Sequence, residues 1–303
     1  MSDKASLMQQ PAPLADVGLQ QEIAGLFVQA LNLEVLPQDI DPEAPLYGEG
    51  LGLDSIDILE IALIVSKQYG IQLRADAVGY AVNQLFSTAN DPTYQKVPGQ
   101  FRIGLYPFIR YLYAYFPLTS SINGDPNNSS TINYAAANLA SQLDTNANSS
   151  LGSGGTHIDR AFSDLNTLIT SVGNGSSTSN TQPFVFLVTD GAQDPQVKGV
   201  PNGSWSGSNH ATVIDPTTVC KPLKDRGIII SVLYIPYQPI QNPNASFANN
   251  EDGYANSNIP FIPPSLTGCA SPGFFYTANT PADITQALQD MFKHSLVTAH
   301  ITN

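Results

Sequence analysis

Positive charge, cysteine and long apolar runs are all scarce in this chain of 303 residues. Only 12 Lys and Arg stand against 25 Asp and Glu, for a formal net charge of −13. Nucleic acid and anionic membrane surfaces both need clustered cations to hold them, so neither fits as a partner. The 2 cysteines are too few for a zinc cluster or a disulfide framework. Cys220 and Cys269 therefore read either as two buried thiols or as one disulfide. No run is long enough to span a bilayer, and the opening "MSDKASLMQQPAPLADVG" lacks an apolar stretch of signal-peptide length. A cytoplasmic location is expected on that basis, and with it largely reduced cysteines. No G-K-[ST] ending, G-x-S-x-G elbow or paired-carboxylate motif is found, and the four histidines have no zinc-like spacing. The chain is accordingly expected not to be an enzyme.

What is present divides unevenly. Up to Asp76 three cations (Lys4, Lys67, Arg74) face twelve acids, whereas the remainder carries 9 cations and 13 acids and is rich in Asn, Ser, Gly and Pro. Two units of different origin or task are implied, over residues 1–76 and 77–303. In the first, "LQQEIAGLFVQAL" places Ile23, Leu26, Phe27, Ala30 and Leu31 on one helical face. A loop with prolines and glycines follows, and Asp54-Ser55 opens a second amphipathic helix that Gly70 ends. This is the start of a small acidic helical bundle. The second unit alternates helices and strands. "AVGYAVNQLF", "TINYAAANLASQL", "THIDRAFSDLNTLIT" and "TPADITQALQDMFKHS" read as helices, the last with Thr280 as N-cap and Pro281 in its first turn. Asp283 and Asp290 on it read as a solvated face. "FRIGLYPFI", "PFVFLVTDG" and "GIIISVLYIPY" read as strands, the latter two apolar enough to be buried on both faces. Such alternation indicates a parallel α/β sheet.

Ser55 carries the first chemical signal. A serine at a helix start is ordinarily a cap. Here its hydroxyl lies at the positive helix end, where free backbone N–H groups cradle a phosphate diester, and Gly50 and Gly52 allow a tight turn beside it. Asp57 and Glu60 add anionic charge on the exposed face, suited to a basic partner. With these residues in view, "GLGLDSIDILEIALIVSKQYGIQL" resembles the modification site and recognition helix of an acyl carrier protein, over about residues 19–76. The resemblance implies covalent 4′-phosphopantetheine on Ser55 within a D-S-[LIM]-[DE] motif that includes Asp54. It also implies that Asp57 and Glu60 meet a phosphopantetheinyl transferase and acyl-transfer or fatty-acid-synthesis enzymes through basic surfaces. The family's last helices should follow "IQLRAD", but the sequence changes character there, so the bundle is expected to be partial.

Thr156 and Asp190 carry the second signal. Asp190 ends an apolar strand, and Thr156 follows a glycine pair at a helix start; a hydroxyl and a carboxylate are hard donors suited to Mg²⁺. Alone, each reads as a helix cap and a turn aspartate. Together, "RIGLYPFIRY", "GGTHIDRA", "VFLVTDGAQ" and "IIISVLYIPY" resemble a von Willebrand factor A domain, a Rossmann-like parallel α/β fold. The likeness is to the form found in pilus-assembly proteins of tight-adherence loci, over about residues 77–301. The resemblance implies that Thr156 and Asp190 are remnants of a metal-ion-dependent adhesion site. The D-x-S-x-S strand that should precede Ala77 is missing, so the site is expected to hold Mg²⁺ weakly. It also implies that Cys220 and Cys269 suit an exported, disulfide-bonded setting.

The expected molecule is thus a partial acyl-carrier-like bundle followed by a von Willebrand factor A-like domain lacking its first strand. Its expected function is acyl carriage at Ser55. A pilus-assembly or adhesion module and a non-functional chimeric product are the alternatives.

Overall fold

The computed structural model describes residues 17–31, 33–42, 61, 74–142, 149–152, 155–177, 179–198, 204–208, 210–237, 239 and 253–299. The chain divides into two compact units, Met1–Gln72 and Leu73–Asn303. In the first, helix α1 (Val17–Leu31) packs against a short 3-10 turn at Pro37–Asp39, with Ala24 buried. Ile61 is helical and buried. The remainder of the expected second helix, Asp54 to Gly70, lies outside the described residues.

The second unit begins with helix α2 (Arg74–Asn90), longer at both ends than the sequence pattern predicts. Ala81, Phe86 and Ala89 are fully buried on it, and Ala77, Val82 and Leu85 nearly so. This apolar stripe faces the C-terminal helix, Pro281–Thr298, whose Ile284, Leu288, Met291 and Phe292 form the matching face. Phe101 meets Phe292 edge to face at 5.1 Å between ring centroids. Gly79 lets α2 approach the next helical segment closely, because a Cβ there would lie 2.4 Å from the Ala136 carbonyl oxygen.

Two short strands follow, β1 (Ile103–Leu105) and β2 (Phe116–Thr119), paired antiparallel with an irregularity in register. The expected strand over Phe101–Ile109 is therefore shorter than predicted and stands apart from the parallel sheet. "TINYAAANLASQL" forms two helices, α3 (Ile132–Ala137) and α4 (Leu139–Gln142). The break falls at Asn138, whose side-chain amide donates to the Tyr134 carbonyl and ends the first of them. Helix α5 (Ile158–Leu168) precedes strand β3 (Phe184–Thr189). Beyond β3 lie a small hairpin of β4 (Val197–Lys198) and β5 (Trp205–Ser206), then α6 (Pro216–Val219), α7 (Lys221–Asp225) and β6 (Ile229–Tyr234). Helices α8 (Gly253–Asn258) and α9 (Ile262–Cys269) lead to β7 (Phe275–Thr277), and α10 (Pro281–Thr298) closes the chain.

Strands β3, β6 and β7 form a parallel sheet with β6 in the centre. Five of the six β6 residues are buried, as a strand covered on both faces requires. Alternate side chains (Val185, Leu187, Ile230, Val232, Tyr234) enter one core with Ile158, Phe162, Leu223, Ile262 and Leu266 from the helices on that face. The intervening positions point to the other face, where α10 packs on β6 and β7. Cys220 and Cys269 are both fully buried in the first core and joined by a disulfide with Cα atoms 5.1 Å apart. The expectation of reduced thiols does not hold in the structure. Both residues end helices packed on the same sheet face, which brings their side chains together.

Candidate functional site

The C-terminal end of β3 is built from short polar turns. The Thr189 hydroxyl accepts from the Gly191 N–H at 2.9 Å, and Asp190 Oδ1 accepts from the Ala192 N–H at 3.2 Å. Gly191 holds a φ of 81°, and a Cβ there would lie 2.3 Å from Ile262. Only glycine allows the chain to leave the strand this close to α9. The loop that follows runs beside the segment before α5. The Asp194 N–H donates to the Thr156 carbonyl at 3.0 Å, and the Gly155 N–H donates to the Gln196 carbonyl at 2.8 Å. The Asp159 N–H donates to Gln193 Oε1, and the His157 ring nitrogen Nε2 lies 2.9 Å from the Gln196 carbonyl oxygen.

The loops bearing Thr156 and Asp190 are thereby tied together at one end of the sheet, with both residues half-buried. Among the described residues no group of three or more His, Cys, Asp or Glu converges to hold an ion. Asp190 Oδ1 also shapes its own turn, the role an aspartate has at a strand end when read alone. Sequence reasoning missed Asp194 and His157, whose contacts close the space beside Gly155. A Cβ at Gly155 would come 2.3 Å from Asp194 Cγ. The only local signal was the D-x-x-x-D spacing of "DGAQD", typical of successive turns.

Ser55, Asp54, Asp57 and Glu60 lie outside the described residues. Residues 21–84 match the family model described as the phosphopantetheine attachment site. No curated protein matches the chain. Among solved structures, proximal thread matrix protein 1 from the mussel byssus is similar at 15% identity and a TM-score of 0.42, over 76% of this chain and 44% of that one. The pilus adhesin SpaC from Lactobacillus rhamnosus GG is similar at 15% identity and a TM-score of 0.46, over 76% of this chain and 29% of that one. The chain thus spans less than half the length of either structure. No described helix is long and apolar enough to cross a membrane. Residues 21–84 are a phosphopantetheine-attachment domain, and the cofactor such a domain carries is covalent 4′-phosphopantetheine.

Proposed function

We propose that this chain is a non-enzymatic acyl carrier whose prosthetic group is attached at Ser55. The family match supports this reading, because the matched segment contains the one serine that opens a predicted helix inside a D-S-I-D motif. Attachment would join the Ser55 oxygen, which gives up its proton, to the phosphate of the pantetheine arm of coenzyme A, breaking the pyrophosphate bond and releasing adenosine 3′,5′-bisphosphate. The predicted helix N-terminus and Asp54 would provide the setting. The chain's own residues then present the arm. Asp57 and Glu60 steer basic acyl-transfer or fatty-acid-synthesis enzymes toward it, and the tether raises the local concentration of the thioester at each of them. Incubation with coenzyme A and a phosphopantetheinyl transferase is expected to add one pantetheine arm, read by intact-protein mass. Ser55→Ala is expected to abolish the addition; equal labelling of parent and variant would refute this reading.

A second reading belongs to the other unit. Its parallel sheet and the buried Cys220–Cys269 disulfide suit a von Willebrand factor A-like module of an exported pilus-assembly or adhesion protein. Carrier chemistry at Ser55 suits a cytoplasmic setting, and a disulfide suits an oxidising one. That opposition favours a chimeric origin for the chain, and thiol titration of protein from the cytosolic fraction distinguishes the two settings.

A further inference from the structure

Strand β3 pairs with β6 on one side, and among the described residues no strand pairs with its other side. The Ile229 N–H donates to the Pro183 carbonyl and the Ile235 N–H to the Thr189 carbonyl. With the register Phe184↔Ile229 through Thr189↔Tyr234, residues 183, 185, 187 and 189 turn their backbone groups toward β6. Phe184, Phe186 and Val188 therefore turn theirs away from it. Among the described residues no hydrogen-bond partner meets these outward N–H and C=O groups. Exposure tells the same story, since four of the six β3 residues are only half-buried where β6 is almost wholly buried. The strand itself carries none of the usual edge-protecting residues. "FVFLVT" contains no lysine, no proline and no bulge, and Pro183 lacks an N–H only on the side that faces β6.

We infer that this edge is a dimerisation surface, and that its occupant is β3 of a second copy of this chain, running antiparallel. The three outward residues are evenly spaced about Phe186. A two-fold axis through Phe186 sets it opposite its own mate, and Phe184 opposite Val188 of the other copy. Every outward donor on one strand then meets an acceptor on the other, and none is left over. The side chains meeting across the axis are all apolar. Just beyond the strand, Asp190 falls opposite Gln182, so no like charges oppose one another. An isologous contact of this kind closes on itself and joins the two parallel sheets into one. A contact of one strand per copy is small, so the dimer is weak and depends on concentration. This inference is independent of the carrier reading.

Sedimentation velocity of the full chain over a concentration series is expected to show reversible dimers. Val188→Lys is expected to weaken the dimer at least about tenfold, since a charge on an open edge blocks pairing. Register is tested by cross-linking under mild oxidation. Opposed residues at position 186 have Cα atoms about 5.5 Å apart, within disulfide reach, so Phe186→Cys is expected to trap a covalent dimer. Phe184→Cys places the two thiols about 13 Å apart along the strands and is expected not to. A chain that is monomeric at every concentration, or equal cross-linking at both positions, overturns the inference. Should Val188→Lys lose its fold by circular dichroism, the contrast between the two cysteine variants still decides.

Discussion

At the scale of single residues, the Cys220–Cys269 bridge has the largest energetic consequence. It joins positions 49 apart in sequence, from the end of α6 to the end of α9. Closing a loop of that length in the unfolded chain is worth about 4 kcal/mol on the chain-entropy scale. Beside it, Lys224 Nζ donates to the Gly268 carbonyl at 2.7 Å, which satisfies one of the carbonyls left over at the end of α9. The double variant Cys220→Ser, Cys269→Ser is expected to lower the urea midpoint by an amount equivalent to 2–4 kcal/mol, roughly the usual range for a native disulfide. Reductant should act likewise on the parent and do nothing further to the variant. The pairing itself was not legible in the sequence. Two cysteines leave thiols and disulfide equally open, and only the packing of two helix ends on one sheet face brings the sulfurs together.

Among the elements, α10 was the most legible and shows why. Its start is written in local chemistry: the Thr280 side chain accepts from the Asp283 N–H at 3.1 Å, and the Asp283 carboxylate accepts from the Thr280 N–H at 3.0 Å. This reciprocal pair is a capping box, with Pro281 in the first turn. Asp283 is thus a cap that also lies on the exposed face where sequence reasoning placed it. The Asn279 N–H, then the Thr280 side chain, hold its carboxyl below the ordinary aspartate range. A carboxyl depressed in the folded state stabilises above its unfolded pKa, and that stabilisation is lost as pH falls through the lower folded value. Thr280→Ala is expected to cost about 1 kcal/mol in neutral urea titrations. The penalty should shrink as the pH is taken down below about 4. The apolar run of β6 was equally readable and is buried as expected. Strand β3 forms where its run predicts a strand but keeps four of its six residues only half-buried, because β6 pairs with it on one side alone among the described strands. By contrast α9 was missed, because "IPPSLTGC" looks like a breaker. Its prolines fall in the first turn, where their missing N–H groups cost nothing. Strand β7 is three residues long and is set by its neighbour β6 rather than by any pattern of its own.

For the whole molecule, the division at Gln72 and Leu73 separates two cores of different construction. One is a small acidic helical unit; the other is a sheet flanked by helices and tied by a disulfide. Differential scanning calorimetry of the full chain is expected to resolve two transitions. Reductant should shift the transition of the disulfide-bonded unit downward and leave the other in place, because only one unit contains cysteine. A single transition that moves as a whole with reductant would show instead that the two cores unfold as one. Charge asymmetry and composition suggested two units divided after residue 76, and the boundary between the compact units falls at Gln72 and Leu73. Sequence does not fix that point, because helical periodicity runs on through α2 and does not say which core buries it.

That helix has a consequence in time. The family match extends to residue 84, so it takes in the first part of α2, yet α2 is buried against α10. Synthesis proceeds from the N-terminus, and the end of α10 emerges roughly 200 residues after residue 84, a delay of about 10 to 40 s at ordinary ribosomal rates. Throughout that interval the apolar stripe of α2 has no α10 to cover it, although α3 and α4, which also pack on α2, are made well before α10. The core around α2 is therefore completed only when α10 has been made, and until then part of that stripe stays open to unwanted contacts.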